Sequence, residues 1–505
     1  MNEAVKKKKL FGGRLGINLV CGGASHLISA GIALFLTPFL IGRLGIELYG
    51  FYPIALELMA AAGLIMGLLN STAGRYIAVE YARGKKEEAR IYFSTVFFSA
   101  MLLSAVLFLP MLLFVIFSDS FLDMPRGFVG EIKIFLSLML AAGLTDAASA
   151  VFGSSYEMTD RLDFRAAQEL AVVFVKALLL WFLLSGVLPI SVVSVGIAVL
   201  SSSLVAACIR FFMARLLTPD VLPRKSAFSR AALRRVLASG TWYSVHELGG
   251  FITAGGFLIL VNVVFGAADA GVYSLALTAS RVFGGVMMML AGLFIPTATK
   301  QFARGKDEAL VKDILRGERL VGFFALVGVS MAVGFLREFF ELWLGAENTP
   351  FLRLLTVMAI LPMLSVSCAL PFFNLAVVMN RIRKMALLYA AGALIGLAIS
   401  IALALFSNVG IFGVAMVSFA VRVLWYSVFM PLYAAHLLHT EPLTLLLPIL
   451  RTYIGAGVSV GLILALKSVC QLSSLVAVLV AGAVSLCATL VIGFFAVYGK
   501  PKFKM

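Results

Sequence analysis

Long apolar segments recur along this chain from Leu15 almost to the C-terminus, and short polar connectors separate them. About 20 consecutive apolar residues suffice for an α-helix to cross the roughly 30 Å of hydrocarbon in a bilayer. Hydrocarbon offers no partner to an unpaired backbone group, so such segments fold as helices. We therefore predict an all-α polytopic membrane protein with about fourteen transmembrane spans. The predicted spans cover residues 15–41, 51–70, 92–117, 132–153, 166–185, 191–213, 240–264, 272–297, 319–336, 351–379, 385–406, 411–435, 447–466 and 474–497.

The distribution of charge predicts how these spans are oriented. Only 13% of the 505 residues are charged and the mean hydropathy is +1.04, which excludes a soluble protein. About 32 of the 41 Lys and Arg residues fall on alternate connectors, so we place these connectors and both termini in the cytoplasm of a multi-pass cell-membrane protein. This bias accounts for the net charge of +16 without a nucleic-acid partner. The cationic N-terminus is predicted to lead into an uncleaved first span, because no small-residue cleavage site follows it.

One charged string occurs twice in the chain. Residues 81–90 read YARGKKEEAR, and residues 302–311, 221 positions later, read FARGKDEALV. The same offset aligns Gly50 with Gly271 and Tyr52 with Tyr273 without a gap. Shared hydrophobicity does not explain a matched ARGK run, so we predict two homologous halves. We expect the charged run to form a short surface helix between spans in each half.

The repeat predicts the domain organisation. Residues 1–220 would form an N-lobe of six spans, residues 221–438 a C-lobe of six, and residues 439–505 two extra spans. An even number of spans gives both lobes the same orientation, related by an axis along the membrane normal. Two such lobes predict a central cleft that opens alternately to each side of the membrane, which is a transporter design.

Several ionisable residues are predicted to lie inside spans, where a charge costs a few kcal/mol and is a functional candidate by default. The 221-residue register places His26 opposite Glu247, and Glu57 opposite Thr278, one helical turn before Arg281. Corresponding faces of both halves thus carry polar groups, as a water-filled cleft requires. The alternative is that these residues form ion pairs that only fix helix register. The candidates are Arg281, Arg422, Lys176, His26, Glu57, Asp146, Glu247 and His246.

No motif for catalysis or cofactor binding is found. The chain contains no GxxxxGK[ST], HExxH or GxSxG string and no metal-ligand spacing, so we expect no enzyme, no cofactor and no metal site. A membrane glycan polymerase or ligase is the alternative from another class, but the outer connectors are short. A passive scaffold would leave the intramembrane charges without a role. We interpret all five cysteines as packing residues: Cys21, Cys208, Cys368, Cys470 and Cys487.

Residues 36–58, LTPFLIGRLGIELYGFYPIALEL, resemble the opening of the polysaccharide-export flippases. These are the Wzx-type (O-antigen and lipid-linked oligosaccharide) branch of the multidrug/oligosaccharidyl-lipid/polysaccharide (MOP) transporter superfamily. The resemblance rests on Pro38, Gly45, Tyr49, Gly50 and Tyr52. It implies that an oligosaccharide on a polyprenyl pyrophosphate is moved to the outer leaflet for polysaccharide or lipopolysaccharide biosynthesis. It also implies that spans 1, 2, 7 and 8 line the cavity and its lateral opening.

This resemblance gives the candidate residues distinct roles. An arginine suits a pyrophosphate because its planar fork bonds two oxygens, so we expect Arg281, then Arg422 and Lys176, with His26, to bind the substrate. The acids Glu57, Glu247 and Asp146 would bind H⁺ or Na⁺ as the coupling ion. A multidrug or cation antiporter, or a lipid II flippase, of the same superfamily is the alternative.

Overall fold

The architecture comes from a computed structural model that describes residues 14–186, 189–292, 294, 298, 301–302, 307–345, 349–379, 381–469 and 475–498. These residues contain nineteen α-helices and no β-strand, which confirms the all-α prediction. In chain order the helices are α1 (Arg14–Leu44), α2 (Ile46–Ala82), α3 (Lys86–Ile116), α4 (Val129–Ser149), α5 (Ser154–Met158), α6 (Leu162–Leu183), α7 (Val192–Leu217), α8 (Arg230–Phe251), α9 (Phe257–Phe265), α10 (Ala267–Gly292), α11 (Asp307–Gly334), α12 (Leu336–Trp343), α13 (Pro350–Ile360), α14 (Met363–Val378), α15 (Ile382–Phe406), α16 (Ile411–Leu424), α17 (Met430–Leu438), α18 (Pro442–Val469) and α19 (Leu475–Tyr498).

Fourteen helical segments of the described chain are long and apolar enough to span a membrane, which confirms the predicted number. Most spans are single helices, but four consist of consecutive helices: α4 with α5, α8 with α9, α13 with α14, and α16 with α17. Two of the four joints are π-helical turns, Ile252–Gly256 and Trp425–Phe429. Such turns leave the regular hydrogen-bond ladder and occur frequently at functional sites.

The first copy of the charged run forms a tight turn between two spans. Helix α2 continues to Ala82, Gly84 adopts a φ of 76°, and α3 begins at Lys86. Glycine allows this left-handed conformation because it has no Cβ. The predicted surface helix is therefore wrong for this copy, since the charges pair within the ends of the two spans. Residues 303–306, in the second copy, lie outside the described residues. The ion pairs of the first copy join Glu80 to Arg83, Lys85 to Glu88 and Glu87 to Arg90.

Packing divides the chain into two compact units, Met1–Gly271 and Val272–Met505. The first unit contains α1 to α9 and the first turn of α10, and the second contains the remaining helices. The lobe boundaries after residues 220 and 438 stay predictions.

In the first unit α4 packs along α7, and α2 packs along α8. The beginnings of α2 and α10 also touch through glycine. A Cβ on Gly50 would lie 3.1 Å from the carbonyl oxygen of Ala267, and one on Gly271 would lie 2.7 Å from that of Ile46. The register of 221 residues relates these two contacts, because Gly50 aligns with Gly271 and Ile46 with Ala267.

In the second unit α11 packs against α14, α18 and α19. Small residues permit the close approach, as is usual where packing rather than hydrophobic burial holds membrane helices together. A Cβ on Gly334 would lie 2.7 Å from Ile463, and one on Gly455 would lie 2.6 Å from Leu326. Helix α11 is thus surrounded along most of its length. Among the cysteines, Cys368 of α14 is buried here, Cys208 and Cys487 are exposed on their helices, and Cys470 lies outside the described residues.

We predict that Lys467→Ala destabilises the protein more than the loss of an exposed charge. The Lys467 ammonium bonds the Glu338 carboxylate at 2.6 Å and the Gly334 carbonyl oxygen at 2.9 Å, with both ionic side chains about 15% exposed. Removal leaves a largely buried carboxylate, so we expect a loss of about 1–2 kcal/mol, less than the roughly 3–5 of fully buried pairs. Thermal unfolding in detergent would measure it. Arg337→Ala, which breaks the exposed pair with Glu341, is the control, and an equal fall in both variants would contradict the prediction.

Candidate functional site

A cavity of about 350 Å³, here called the acidic cavity, lies between α2 and α8 in the first unit. Glu57 of α2 lines it together with Glu247 and Tyr243 of α8. Glycines make the space, because Gly63 and Gly250 also line the cavity and a Cβ on either would meet open space. The structure thus brings together two of the acids that the sequence suggested for ion coupling.

The Glu57 carboxylate packs directly against Gly255, which has no side chain to exclude it. Its side chain is buried, and a Cβ on Gly255 would lie 2.4 Å from its Oε2 atom. Gly255 belongs to the π-helical turn that joins α8 to α9, so the irregular turn and the carboxylate coincide. Glu247, by contrast, is nearly half exposed, and its Oε1 lies 3.7 Å from Nδ1 of the buried His246.

This arrangement favours a cation over an anion. Two carboxylates share the acidic cavity, and no Lys or Arg is among its described lining residues. Neighbouring carboxylates repel each other, so a proton or a monovalent cation between them is stabilised. A pyrophosphate would meet the wrong charge. Within the described ranges, no group of three or more His, Cys, Asp or Glu side chains is arranged to hold a metal ion.

A second polar group, here called the basic cluster, lies in the second unit. Arg281 of α10 and Arg422 of α16 are both within electrostatic range of the Tyr273 hydroxyl, which is hydrogen-bonded to Ser418. Arg422, Tyr273 and Ser418 also line one small cavity with Leu277. Arg281 is exposed although it lies in a membrane span, and a cation in that position requires water or an anionic partner. The two leading substrate-binding candidates therefore lie in one cluster.

Asp146 lies apart from the acidic cavity, on α4. Its carboxylate accepts hydrogen bonds from Arg210 at 3.1 Å and from Ser203 at 2.8 Å, both on α7. Arg210 reaches the border of a separate pocket of about 260 Å³, where Arg165 pairs with Glu169. Because these arginines already have carboxylate partners, this pocket is a poor anion site.

The other two candidates lie on further helices of the first unit. His26 is half-buried on α1, next to Ser25, whose hydroxyl donates to the Ala166 carbonyl oxygen of α6. Lys176 is half-buried on α6, and the described residues include no ion-pair partner for it. Neither residue lines the acidic cavity. Their substrate-binding roles stay predictions.

Sequence reasoning missed Arg210 and Tyr273. Arg210 is an ionisable residue inside a predicted span, which is the criterion that selected the other candidates, so the sequence did contain the information needed to find it. Tyr273 appeared only as a repeat position, and its proximity to Arg281 and Arg422 depends on how α10 packs against α16.

Two solved structures of transporters share this fold. A multidrug resistance MATE family transporter of the MOP superfamily, in an inward-facing conformation, matches with a TM-score of 0.64 and 15% identity, covering 85% of this chain and 99% of that one. A MOP superfamily transporter from Pyrococcus furiosus Vc1 (DSM3638), described as having a binding pocket of reverse polarity, matches with a TM-score of 0.62 and 14% identity, covering 84% of this chain and 96% of that one. At these identities the likeness shows the fold alone.

Two sequence comparisons narrow the class. The uncharacterized membrane protein EpsK of Bacillus subtilis (strain 168) is 22% identical over 422 residues, 83% of each chain. The model of the family described as Polysaccharide biosynthesis protein matches residues 18–302, more than half of the chain. The fourteen apolar helical segments of the described residues define a multi-pass membrane protein. The chain belongs to the polysaccharide biosynthesis protein family.

Proposed function

We propose that this membrane protein is a transporter that flips a polyprenyl-pyrophosphate-linked oligosaccharide from the cytoplasmic to the outer leaflet by alternating access. The basic cluster supports the proposal, because Arg281 and Arg422, from two different helices, are both within electrostatic range of the Tyr273 hydroxyl inside membrane spans. Family membership supplies the polysaccharide context.

The chemistry of the cargo matches this cluster. A sugar hydroxyl that enters hydrocarbon without a partner costs several kcal/mol, so unaided crossing is prohibitive. A guanidinium offers paired donors to the oxygens of one phosphate, and a second guanidinium nearby serves the other phosphate. Tyr273 and Ser418 add hydroxyl groups beside these donors. Lys176 and His26 would contact the headgroup at other stages of its passage.

The membrane potential and an ion gradient could both drive this transport, and the acidic cavity could bind the coupling ion. Moving one net negative charge outward gains about 2.3 kcal/mol per 100 mV when the cytoplasm is negative. Inward movement of H⁺ or Na⁺ bound at Glu57 and Glu247 would add to that gain. We assign the acidic cavity to the coupling ion, with Asp146 as a weaker candidate because Arg210 already neutralises it.

Leaflet exchange of a labelled glycolipid tests the function directly. Purified protein is reconstituted with a fluorescent polyprenyl-pyrophosphate oligosaccharide, and a membrane-impermeant quencher reports its exchange between leaflets. We expect the glycolipid to exchange between leaflets only when protein is present. Its outward movement should be faster when the inside of the vesicle is negative. Absence of exchange in correctly folded protein, at any imposed potential or ion gradient, would refute the flippase assignment.

The acidic cavity also favours a second candidate, a multidrug or cation antiporter, because an organic cation would find two carboxylates there. The same vesicles distinguish the candidates. Efflux of an organic cation driven by protons or sodium, without glycolipid exchange, would move the function to that branch.

We predict that Glu57→Gln uncouples transport from the ion gradient without preventing exchange at equilibrium. Glutamine has nearly the same size and shape as glutamate, so it can pack against Gly255 in the same way. The substitution removes one of the two carboxylates of the acidic cavity. Gradient-driven accumulation should fall about tenfold or more, since loss of a charged ligand costs about 1.5–3 kcal/mol. Glu80→Gln, at the far end of the same helix, is the control. Full gradient coupling in the Glu57 variant would remove this residue from the mechanism.

A further inference from the structure

The second unit contains a fully buried carboxyl group that the proposed function does not use. Glu318 of α11 has no exposed surface, and neither of its carboxyl oxygens has a hydrogen-bond partner in the described part of the chain. The sequence prediction missed it, because the ninth span was expected to begin at residue 319 whereas α11 begins at Asp307. Glu318 therefore lies about three turns inside a helix rather than at its end.

The neighbours of Glu318 come from α14 and α18. Gly322 follows it by one turn on the same helix face, and a Cβ there would lie 2.8 Å from Sγ of Cys368 and 3.3 Å from Oγ1 of Thr452. The Cys368 thiol is also fully buried and lies within electrostatic range of Glu318. Glu318 thus faces the line along which the three helices meet.

The charged and titratable groups around this carboxyl leave it without a counter-ion. On its own helix Arg319 is within electrostatic range but forms no hydrogen bond with it, and it also interacts with Tyr498 of α19. On α14 the nearest titratable group is Cys368, and on α18 Tyr453 is hydrogen-bonded to Ser365 at 3.1 Å. A buried carboxylate without a partner costs several kcal/mol, so the group holds its proton in this conformation.

Polar groups on α14 and α18 favour the protonated form of such an acid. The buried hydroxyl of Ser367 has no partner in the described residues, and Pro371 one turn later has no N–H to donate to the Ser367 carbonyl group. Thr452 donates to the Pro448 carbonyl oxygen and contacts the Cys368 thiol at 3.7 Å. A free carbonyl oxygen accepts a hydrogen bond from a protonated carboxyl group and not from a carboxylate.

The fold does not require a carboxyl group at this position. In the 221-residue register Glu318 corresponds to Phe97, which packs against Phe98 and Phe152 in the first unit. The apolar side chain of Phe97 therefore occupies the position equivalent to Glu318, and it introduces no buried oxygen atoms without hydrogen-bond partners. A costly group retained where an apolar one suffices indicates a function beyond packing.

We propose that Glu318 is a proton-binding site that releases and regains its proton as the transporter changes conformation, so that α11, α14 and α18 separate enough in one state to hydrate the carboxylate. The ligand is a proton rather than Na⁺, because a metal ion needs several oxygen ligands and the described neighbours offer one thiol and one hydroxyl already bonded. The role in transport rests on the proposed function, whereas the protonation itself does not.

Infrared spectroscopy tests protonation without any substrate. The wild-type protein should show the carbonyl stretching band of a buried carboxylic acid at neutral pH, and this band should weaken reversibly as the pH rises. Glu318→Gln should remove one component of the band, Glu318→Asp should shift that component, and Glu308→Gln, the same change at an exposed position on α11, should leave the whole band intact. A band that is unchanged in Glu318→Gln, or a Glu318 component that never responds to pH, would overturn the proposal.

The pH dependence of leaflet exchange tests the coupling. One released proton changes an equilibrium by up to about tenfold per pH unit, so the exchange rate should lose that much pH dependence in Glu318→Gln relative to Glu308→Gln. An unchanged profile would overturn the role in transport. If the wild-type protein exchanges no glycolipid at all, the flippase assignment fails, and the infrared titration still decides whether Glu318 binds and releases a proton.

Discussion

Arg281→Ala should abolish exchange of the polyprenyl-pyrophosphate oligosaccharide in vesicles while the protein still inserts and folds. Each hydrogen bond to a charged group contributes about 1.5–3 kcal/mol, so losing the guanidinium should weaken headgroup binding about ten- to a hundredfold. Folding should survive because the Arg281 side chain is exposed, so no buried cavity forms. Arg281→Lys should recover only part of the activity, because an ammonium lacks the planar fork.

A matched control distinguishes the loss of a substrate-binding guanidinium group from the general loss of one positive charge. Arg316→Ala removes one arginine from an exposed ion pair with Asp313 on α11, and exchange should remain near the wild-type rate. Arg422→Ala should show a defect similar to that of Arg281→Ala, since both guanidinium groups lie near Tyr273. Normal exchange in Arg281→Ala at equal protein density would remove Arg281 from the substrate site and leave the basic cluster without its proposed role.

The number of spans was predictable because the hydrocarbon thickness fixes how many consecutive apolar residues a span needs, and such segments are visible in the sequence. The ends of the helices were not, since helices continue through charged residues whose side chains reach the aqueous boundary. The second span ends at Asn70 as predicted, but helix α2 continues twelve residues further, to Ala82. The same error hid Glu318, whose charge was counted with the connector although α11 carries it into the protein.

Residue roles were less predictable because they depend on which helices meet. The sequence named Glu57, Glu247 and Asp146 as equivalent acids, yet only the first two line the acidic cavity, and Asp146 is bonded to Arg210. Periodicity along one helix contains no information about its neighbour. The repeat contributed more, because the alignment of Tyr52 with Tyr273 marked a residue that proved to lie in the basic cluster.

The packing of α2 against α8, which forms the acidic cavity, depends on one glycine. A Cβ on Gly240 would lie 2.2 Å from the carbonyl oxygen of Leu68 and 2.9 Å from its carbonyl carbon. Both atoms belong to the backbone of a helix, so neither can move without displacing α2 itself. Overpacking usually costs about 1–3 kcal/mol, and a clash with rigid backbone falls at or above the upper end.

We therefore predict that Gly240→Ala strongly destabilises the protein, although alanine is the better helix former by about 1 kcal/mol. Gly250→Ala on the same helix is the matched control, because a Cβ there meets nothing within 4 Å, and it should leave stability unchanged or raise it slightly. Thermal unfolding in detergent measures both variants. A Gly240 variant as stable as the Gly250 variant would mean that α2 and α8 do not approach as closely as the structure describes, and the walls of the acidic cavity would have to be redrawn.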